Sequence, residues 1–259
     1  MRRSNKREMI NKLIEIISRE GGISVGVASK TLGISEVTAR RYLNELASHS
    51  SLPLKRVRGG ILLDKSKKSL EYMFDLKLSM NSKEKMRIAK RAAEFVEDGD
   101  SLIIDSGTTA YYFAKFLMGK RGLKVISADV KVAEELAKNP DIETYIIGGI
   151  VRPGYFSVGG DMAVKMIKRF HVDKVFLTAD AVDLEGGITN FSSFEAYLKE
   201  SMISQGKKVF LMADHTKIGK VGFMKVASLE SVNVFITSKG IDEDVASRIK
   251  KRGIELIVV

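Results

Sequence analysis

Apolar residues recur at helical spacing near the start of the chain. Ile10, Leu13, Ile14 and Ile17 are three or four residues apart, with charged residues between them. One face of an α-helix has this period, so the pattern predicts an amphipathic helix over residues 5–19.

Two shorter helices are predicted next, with Gly33 between them. Ser24 can cap a helix that runs to Thr31, and Ser35 can cap another over 36–47. Two short helices joined by a tight turn that contains glycine form a helix-turn-helix unit. The residues expected to bury the last of these helices are Val37, Leu43 and Leu46.

A β-hairpin is predicted after the third helix. Residues 53–57 and 61–63 have the composition of short strands, and Arg58-Gly59-Gly60 can turn the chain between them. A helix-turn-helix followed by such a wing can place its last helix in a DNA groove, with the wing against phosphates. The residues that we predict to contact DNA are Ser35, Thr38, Arg40, Arg41, Arg56 and Arg58. A winged helix that serves only protein contacts is the alternative interpretation.

The pattern changes after residue 63. Residues 64–81 are polar and charged with scattered apolar residues, which predicts a linker, either a connecting helix or a solvated spacer. From Ser82, which we expect to cap a helix, short apolar runs alternate with helical stretches. This alternation predicts a mostly parallel sheet with helices on both faces, so the fold class is α/β with domains at 1–63 and 82–259. The predicted helices are 82–96, 109–118, 130–138, 161–169, 194–205 and 242–251, and the strands are 101–104, 124–127, 143–147, 174–179, 208–213, 233–237 and 254–259.

Charge is distributed unevenly between these two parts. Residues 1–68 contain 15 Lys and Arg against 6 Asp and Glu, whereas residues 69–259 contain 28 against 26. Of the net charge of +11, therefore, +9 lies on the first quarter of the chain. A basic module joined to a nearly neutral one is typical of a nucleic-acid reader with a second function.

Composition excludes several classes of protein. The chain has no cysteine, which excludes disulfides and thiolate metal sites, and its three histidines have no metal-ligand spacing. We expect no metal and no cofactor. The sequence contains no apolar run long enough to span a membrane and no secretory signal at its N-terminus, so we expect a cytoplasmic protein without membrane contact.

A candidate anion site lies between the predicted strand 101–104 and the helix that follows. Asp105-Ser106-Gly107-Thr108-Thr109 combines a glycine turn, hydroxyl donors and the N–H groups of a helix start. Such a loop can bind a phosphate, although many loops of this kind only cap a helix. It lacks the Gly-Lys-Ser/Thr ending of a Walker loop.

Further polar residues follow other predicted strands. Gly148-Gly149 follows 143–147, Asp180 and Asp183 follow 174–179, and Lys217 follows 208–213. Ligands of open α/β sheets bind at the carboxyl ends of the strands, so we expect these residues in one crevice. Each alone has the composition of a turn. Aspartates suit sugar hydroxyls, and Lys217 offers a positive charge for a phosphate.

The N-terminal motifs resemble those of one known family. SVGVASKTLGISEVTARRYLNEL followed by KRVRGG resembles the DNA-binding domain of DeoR-family repressors, including the Thr-x-Arg-Arg tetrad of Thr38–Arg41. Tyr42 stands where the family usually has an acidic residue. The resemblance implies an operator of double-stranded DNA, and we expect a homodimer or homotetramer to bind it.

The C-terminal motifs extend the resemblance across the chain. KMRIAKRAA, DSGTT, GG, SVGG, DKVFLTADAVD, GGITN and ADHTK follow the order of the DeoR-family sensor domain, which is similar to ribose-5-phosphate isomerase. The resemblance implies that a phosphorylated sugar or polyol is the inducer. Its phosphate would be held by Ser106, Gly107, Thr108 and Thr109, and the rest of the pocket lined by Asp105, Asp180, Asp183, Glu195 and Lys217.

Three functions are compatible with these patterns. The leading hypothesis is a repressor of sugar or polyol metabolism genes, without enzymatic activity, whose DNA affinity is controlled by a sugar phosphate. The second is a sugar-phosphate isomerase that carries a DNA module, although Glu185 replaces the lysine that its isomerase relatives place before the Gly-Gly turn. The third is a basic architectural or RNA-binding protein, which would bind without sequence preference.

Overall fold

The computed structural model describes residues 9, 10, 12–14, 16, 17, 21–49, 54–63 and 71–259. The chain forms two compact units. The first contains residues 1–80 with Pro153–Tyr155, and the second contains residues 81–152 and 156–259. No helix among the described residues is long and apolar enough to cross a membrane.

The first unit is a winged helix-turn-helix. Its described residues between 9 and 17 are helical, and helices α1 and α2 follow. Strands β2 and β3 form the wing, and β1 pairs with β3 to give a three-stranded antiparallel sheet. β1 was not predicted, because three residues are too few for a period to be recognised. The bounds are β1 Gly22–Ser24, α1 Val25–Leu32, α2 Glu36–His49, β2 Leu54–Val57 and β3 Gly60–Leu63.

One apolar core holds these elements together. Leu13 and Ile17 from the first helix, Leu43 from α2 and Ile61 from the wing are almost completely buried. The prediction that Val37 is buried is wrong, because its side chain is 80% exposed. The buried positions of α2 are spaced three or four residues apart from Ala39 onward, and Val37 falls outside that stripe. The buried residues are Ala39, Tyr42, Leu43 and Leu46.

The predicted linker contains a helix. Glu71–Ser79 forms α3, while residues 64–70 lie outside the described part of the chain. A second helix, Ser82–Ala93 or α4, begins three residues later. Ser82 is its first residue rather than its N-cap. That position is occupied by Asn81, whose side chain makes no capping hydrogen bond to the helix.

The second unit is built on a seven-stranded parallel sheet. The strand order is β15-β14-β12-β9-β4-β5-β6, and each neighbouring pair is parallel. The strands are β4 Ser101–Ile104, β5 Leu123–Ser127, β6 Ile142–Ile146, β9 Val172–Thr178, β12 Gly206–Met212, β14 Val234–Thr237 and β15 Glu255–Val258. Each overlaps one of the predicted strands, with differences of one or two residues at the ends.

Helices cover both faces of this sheet. α5 and α6 pack with α4 on one face, while α7, α8 and α9 pack on the other. Neighbouring residues of β4 point to opposite faces of the sheet. Leu102 and Ile104 pack on the face that α4, α5 and α6 cover, and Ile103 packs on the other face. The helices are α5 Thr108–Phe116, α6 Val130–Leu136, α7 Asp161–Ile167, α8 Ser193–Ile203 and α9 Glu243–Lys251.

Small antiparallel elements were missed by the sequence prediction. β10, β11 and β13 form a three-stranded sheet, and β7 pairs with β8. These strands have two to four residues, and the paired residues of β11 and β13 are 34 to 39 positions apart in the chain, so local patterning does not reveal them. They are β7 Ile150–Val151, β8 Val158–Gly159, β10 Ala181–Asp183, β11 Gly187–Asn190 and β13 Met224–Ala227.

Strand order places a switch point beside β4. After β4 the chain proceeds through β5 to the edge strand β6, and then returns to β9 on the other side of β4. The connections therefore diverge at the carboxyl ends of β4 and β9, which opens a crevice there.

Candidate functional site

The helix α2 begins at a side-chain cap. The Ser35 hydroxyl accepts the backbone N–H of Thr38 at 3.3 Å, and the two hydroxyls lie 3.0 Å apart. Ser35 therefore has a structural role at the start of the helix, which fixes the direction in which its first turn points.

The exposed face of α2 combines cations with one apolar side chain. Arg40 and Arg41 are exposed, three and four residues beyond the exposed Val37. Residues at these spacings are neighbours on a helix surface. The Arg41 guanidinium lies 5.6 Å from the ring centroid of Tyr42, so the aromatic residue that replaces the expected acid supports this arginine. Sequence analysis missed Val37 as a surface residue.

The wing carries the other two predicted DNA-contacting residues. Arg56 on β2 and Arg58 in the turn are both exposed. Leu54, the first residue of β2, is buried against the core, whereas the three residues that follow it on the strand are exposed. Among its described residues, the first unit thus presents four exposed arginines, two on α2 and two on its wing.

The predicted anion loop adopts a helix-start conformation in the second unit. Gly107 has a φ of +104°, a backbone region that side-chain-bearing residues rarely adopt, and α5 begins at Thr108. Ser106, Thr108 and Thr109 are largely buried. The first turn of a helix directs backbone N–H groups away from its own ladder, which suits an anion.

A buried carboxylate that we did not predict supports this loop. Asp129, which follows β5, accepts the N–H of Gly107 at 2.9 Å and caps α6 through the N–H groups of Lys131 and Val132. Burial, assisted by the nearby Asp105 carboxylate, raises the pKa of Asp129 to about 6. Its position immediately before the predicted helix 130–138 is the sequence signal of an N-cap.

Asp105 lies at the bottom of the crevice in an ion pair. Its Oδ2 accepts the Lys199 ammonium and both the N–H and the hydroxyl of Thr178, at 2.9 and 3.1 Å. Lys199 and Asp105 are almost completely buried. Burial alone would lower the pKa of Lys199, but the carboxylates of Asp105, Glu195 and Asp180 hold it above its ordinary value.

Lys199 is a second site residue that was not predicted from the sequence. It lies four residues after Glu195 on α8, so the two side chains occupy one helix face, and this spacing was the available signal. Lys199 therefore provides the crevice with a cation, although the position before the Gly-Gly turn is occupied by Glu185. That cation is already paired with Asp105.

Glu195 is the centre of a second polar cluster. Its Oε1 accepts the Ser157 hydroxyl at 2.5 Å and the Arg152 guanidinium at 3.2 Å. Its Oε2 accepts the Asn190 amide at 3.1 Å. Arg152 is the more accessible partner, with 28% of its side chain exposed against 11% for Glu195.

The remaining predicted residues divide into two groups. The Asp180 carboxylate is near enough to Lys199 to help raise the pKa of that lysine, and it accepts the N–H of Phe191 at 3.2 Å. Asp183 instead accepts the N–H groups of Gly186 and Glu185 in the β10–β11 turn, which lowers its pKa. Its carboxylate therefore serves a turn.

Gly148, Gly149 and Lys217 have no described polar contact with the crevice residues. The Gly148 N–H lies 3.2 Å from the Met166 sulfur, and a side chain at Gly149 would clash with the Gly159 carbonyl. Lys217 lies half-buried in the 3₁₀ turn His215–Lys217.

One further cluster has metal-ligand residue types. Ligand atoms of Glu84, Asp214 and His215 lie within 4.8 Å of one another. Hydrogen bonds account for the arrangement, because His215 Nδ1 is 2.9 Å from Glu84 and the Ser238 hydroxyl donates to the same carboxylate. This network ties α4 to the ends of β12 and β14.

Comparison with known proteins gives concordant matches. A family model described as the DeoR C terminal sensor domain matches residues 80–239, and one described as the DeoR-like helix-turn-helix domain matches residues 10–67. A protein named as a transcriptional regulator of the sgc region in Escherichia coli strain K12 is 37% identical over 97% of this chain and 96% of its own. The transcriptional regulator GolR of Listeria innocua is 31% identical over 95% of this chain and 96% of its own.

The similarity to solved structures covers only part of the fold. Ribose 5 phosphate isomerase A from Neisseria gonorrhoeae covers 52% of each chain with 20% identity and a TM-score of 0.39. A likeness of this extent says nothing about activity.

Proposed function

Because the chain belongs to the DeoR family of helix-turn-helix regulators, we propose that it is a repressor whose operator affinity is controlled by a phosphorylated sugar or polyol. Its first unit binds double-stranded DNA, and its second binds the effector. The genes it controls serve sugar or polyol metabolism, and the protein acts without catalysis.

The exposed arginines support the DNA-binding part of the proposal. Arg40 and Arg41 on α2 suit base edges and phosphates in a major groove, while Arg56 and Arg58 on the wing suit the adjacent backbone. Thr38 lies one turn into the helix, next to its cap. A homodimer is the assembly we propose, because a two-fold axis pairs two such helices with two half-sites.

The observation that carries the effector part is the crevice beside β4. The turn Ser106–Thr109 offers a helix start to a phosphate, and Asp105, Lys199, Asp180 and Glu195 lie within the same crevice. Carboxylates flanking a phosphate site suit the hydroxyls of a sugar or polyol. Of the residues predicted from sequence, Gly148, Gly149, Asp183 and Lys217 are the ones to which we assign no direct contact with the effector.

These roles suggest a division of the chain. We assign residues 1–63 to the DNA-binding domain, 64–81 to the linker and 82–259 to the sensor domain. The effector acts by binding one conformational state of the protein more tightly than another, which changes the population that binds DNA.

A ligand screen and a DNA-binding assay test the two parts separately. Thermal shift measurements with hexose, pentose and polyol phosphates should raise the melting temperature for at least one compound, whereas the unphosphorylated sugar should not. Fluorescence anisotropy with DNA flanking the gene of this protein should show sequence-dependent binding. If binding is equally tight to unrelated DNA and only salt-sensitive, the operator assignment is wrong.

A further inference from the structure

Asn190 presents an acceptor for which the described residues provide no donor. It is the last residue of β11, and its side chain is 1% exposed. Its Nδ2 donates to Glu195 Oε2, whereas its Oδ1 is buried and has no hydrogen-bond partner among the described residues. The orientation of the amide follows from chemistry, because a carboxylate that accepts hydrogen bonds from Ser157 and Arg152 requires a donor from Asn190 as well.

An acceptor buried in this way is unusual. Most buried polar groups in proteins are paired, and leaving one unpaired costs free energy. An apolar side chain on β11 would avoid that cost, as Ile188 does on the same strand. The free acceptor therefore calls for a donor that comes from outside the described contacts.

The surroundings of Asn190 indicate where that donor comes from. Glu195 and Asp180 are both close enough to affect Lys199, which pairs with Asp105 beside the anion loop. The residue after Asn190, Phe191, donates its N–H to Asp180 and leaves 62% of its own side chain exposed. Asn190 thus lies between two carboxylates of the crevice, behind an exposed turn.

We propose that Asn190 Oδ1 accepts a hydrogen bond from a hydroxyl group of the effector, and that Asn190 selects ligands by this hydroxyl. The hydroxyl belongs to the part of the molecule remote from the phosphate. This inference rests on the proposed function, because it assumes that a sugar or polyol phosphate occupies the crevice.

Two variants separate recognition by Asn190 from support of Glu195. Asn190→Leu removes the free acceptor together with one hydrogen bond to Glu195. Ser157→Ala removes one hydrogen bond to Glu195 and leaves the acceptor in place. Asn190→Ser is a smaller change that also removes the amide acceptor. Circular dichroism establishes that each variant is folded before its binding is measured.

The measurement is calorimetric titration of the full chain. The probes are the tightest-binding sugar or polyol phosphate from the screen, its monodeoxy analogues and inorganic phosphate. The wild type should bind one deoxy analogue about five- to ten-fold more weakly than the parent, the range expected for one hydrogen bond. Asn190→Leu and Asn190→Ser should lose that discrimination, keep their affinity for inorganic phosphate, and bind parent and analogue alike. Ser157→Ala should retain the discrimination.

The outcomes distinguish this inference from the function on which it rests. If the wild type binds no sugar or polyol phosphate, the proposed function fails and this inference fails with it. If the wild type binds and discriminates, but the Asn190 variants discriminate equally well, only the role of Asn190 is wrong. Equal loss in Ser157→Ala would assign the effect to Glu195 instead.

Discussion

At the scale of single residues, the sensor crevice depends on a buried ion pair. Lys199 and Asp105 are almost inaccessible to solvent, so each charge depends on the other for compensation. Removing one partner of such a pair leaves an uncompensated charge in the interior, which is far more costly than losing an exposed pair.

Lys199→Met should therefore lower the free energy of unfolding by about 3–5 kcal/mol, measured by urea denaturation at neutral pH. Lys207→Met is the matched control, because Lys207 pairs with Asp173 but leaves 81% of its side chain exposed. The control should cost much less, because exposed ion pairs contribute little to stability. Similar costs for the two variants would show that Asp105 does not depend on Lys199.

Asp129 makes the stability of the protein depend on pH with a sign that is unusual for an aspartate. Its pKa is raised to about 6 in the folded chain from an ordinary value of 3.8, mainly by burial. The protonated form is thus favoured by folding, so this group contributes stability that is complete below pH 3.8 and is lost as the pH rises through 6.

Asp129→Asn should remove this loss of stability at higher pH. Relative to the wild type, its free energy of unfolding should rise by about 2 kcal/mol between pH 4 and pH 7, in addition to any constant difference from the changed contacts. Urea denaturation across that range measures it, and Asp161→Asn, at an exposed helix position, is the control. A difference from the wild type that does not vary with pH would contradict the assignment.

Val37 is expected to contact a thymine methyl group. An exposed aliphatic side chain beside Arg40 and Arg41 suits the apolar edge of that base. Val37→Ser should weaken operator binding by about four-fold, which corresponds to the free energy of burying one methylene group. In this variant, replacing one particular thymine by uracil should no longer change the affinity. Anisotropy with singly substituted operators tests this, and Val27→Ser on α1, also exposed, is the control. An unchanged response to every uracil substitution would exclude the contact.

At the scale of elements, we expect α2 and the turn before α5 to have separate tasks. Arg40→Ala or Arg41→Ala should weaken operator binding by about ten- to one-hundred-fold and leave the effector-induced melting shift unchanged. Gly107→Val should do the reverse, because a β-branched residue cannot easily adopt a φ of +104°.

Anisotropy and thermal shift measurements on the same preparations test this division, with Arg121→Ala in the second unit as a control for loss of one exposed charge. If the arginine and glycine variants impair DNA binding equally in effector-free protein, the two elements do not have separate tasks.

The elements also show what sequence can reveal. Period and composition predicted all seven strands of the parallel sheet, because each is a short apolar run beside a helix signal. The contacts of the crevice were beyond such patterns. Lys199 and Asp105 are 94 positions apart, and Thr178 joins them from a third element, so only the folded sheet brings them together.

The sequence predicted that α2 is a helix, but it was less accurate about which side of the helix is buried. Its cap Ser35 and its arginines follow from sequence, but Val37 was assigned to the core because apolar residues are buried more often than not. The phase of the buried stripe, set by Tyr42 and Leu43, overrides that tendency.

At the scale of the whole molecule, the charge asymmetry corresponds to the two functions. The excess of +9 on residues 1–68 suits the binding of a polyanion. The near-neutral remainder suits a small ligand, because it does not attract DNA to every surface. Binding at the two sites is coupled only if the effector has different affinities for the states that bind DNA and those that do not.

The most direct test is therefore the reciprocal effect of effector and operator on the full-length chain. Operator affinity is measured by anisotropy with and without the sugar or polyol phosphate, and effector affinity by calorimetry with and without operator DNA. The account predicts that the effector weakens operator binding at least ten-fold and that operator weakens effector binding by the same factor. If a compound that binds the crevice leaves operator affinity unchanged, the protein is not regulated by that ligand and the central claim is wrong.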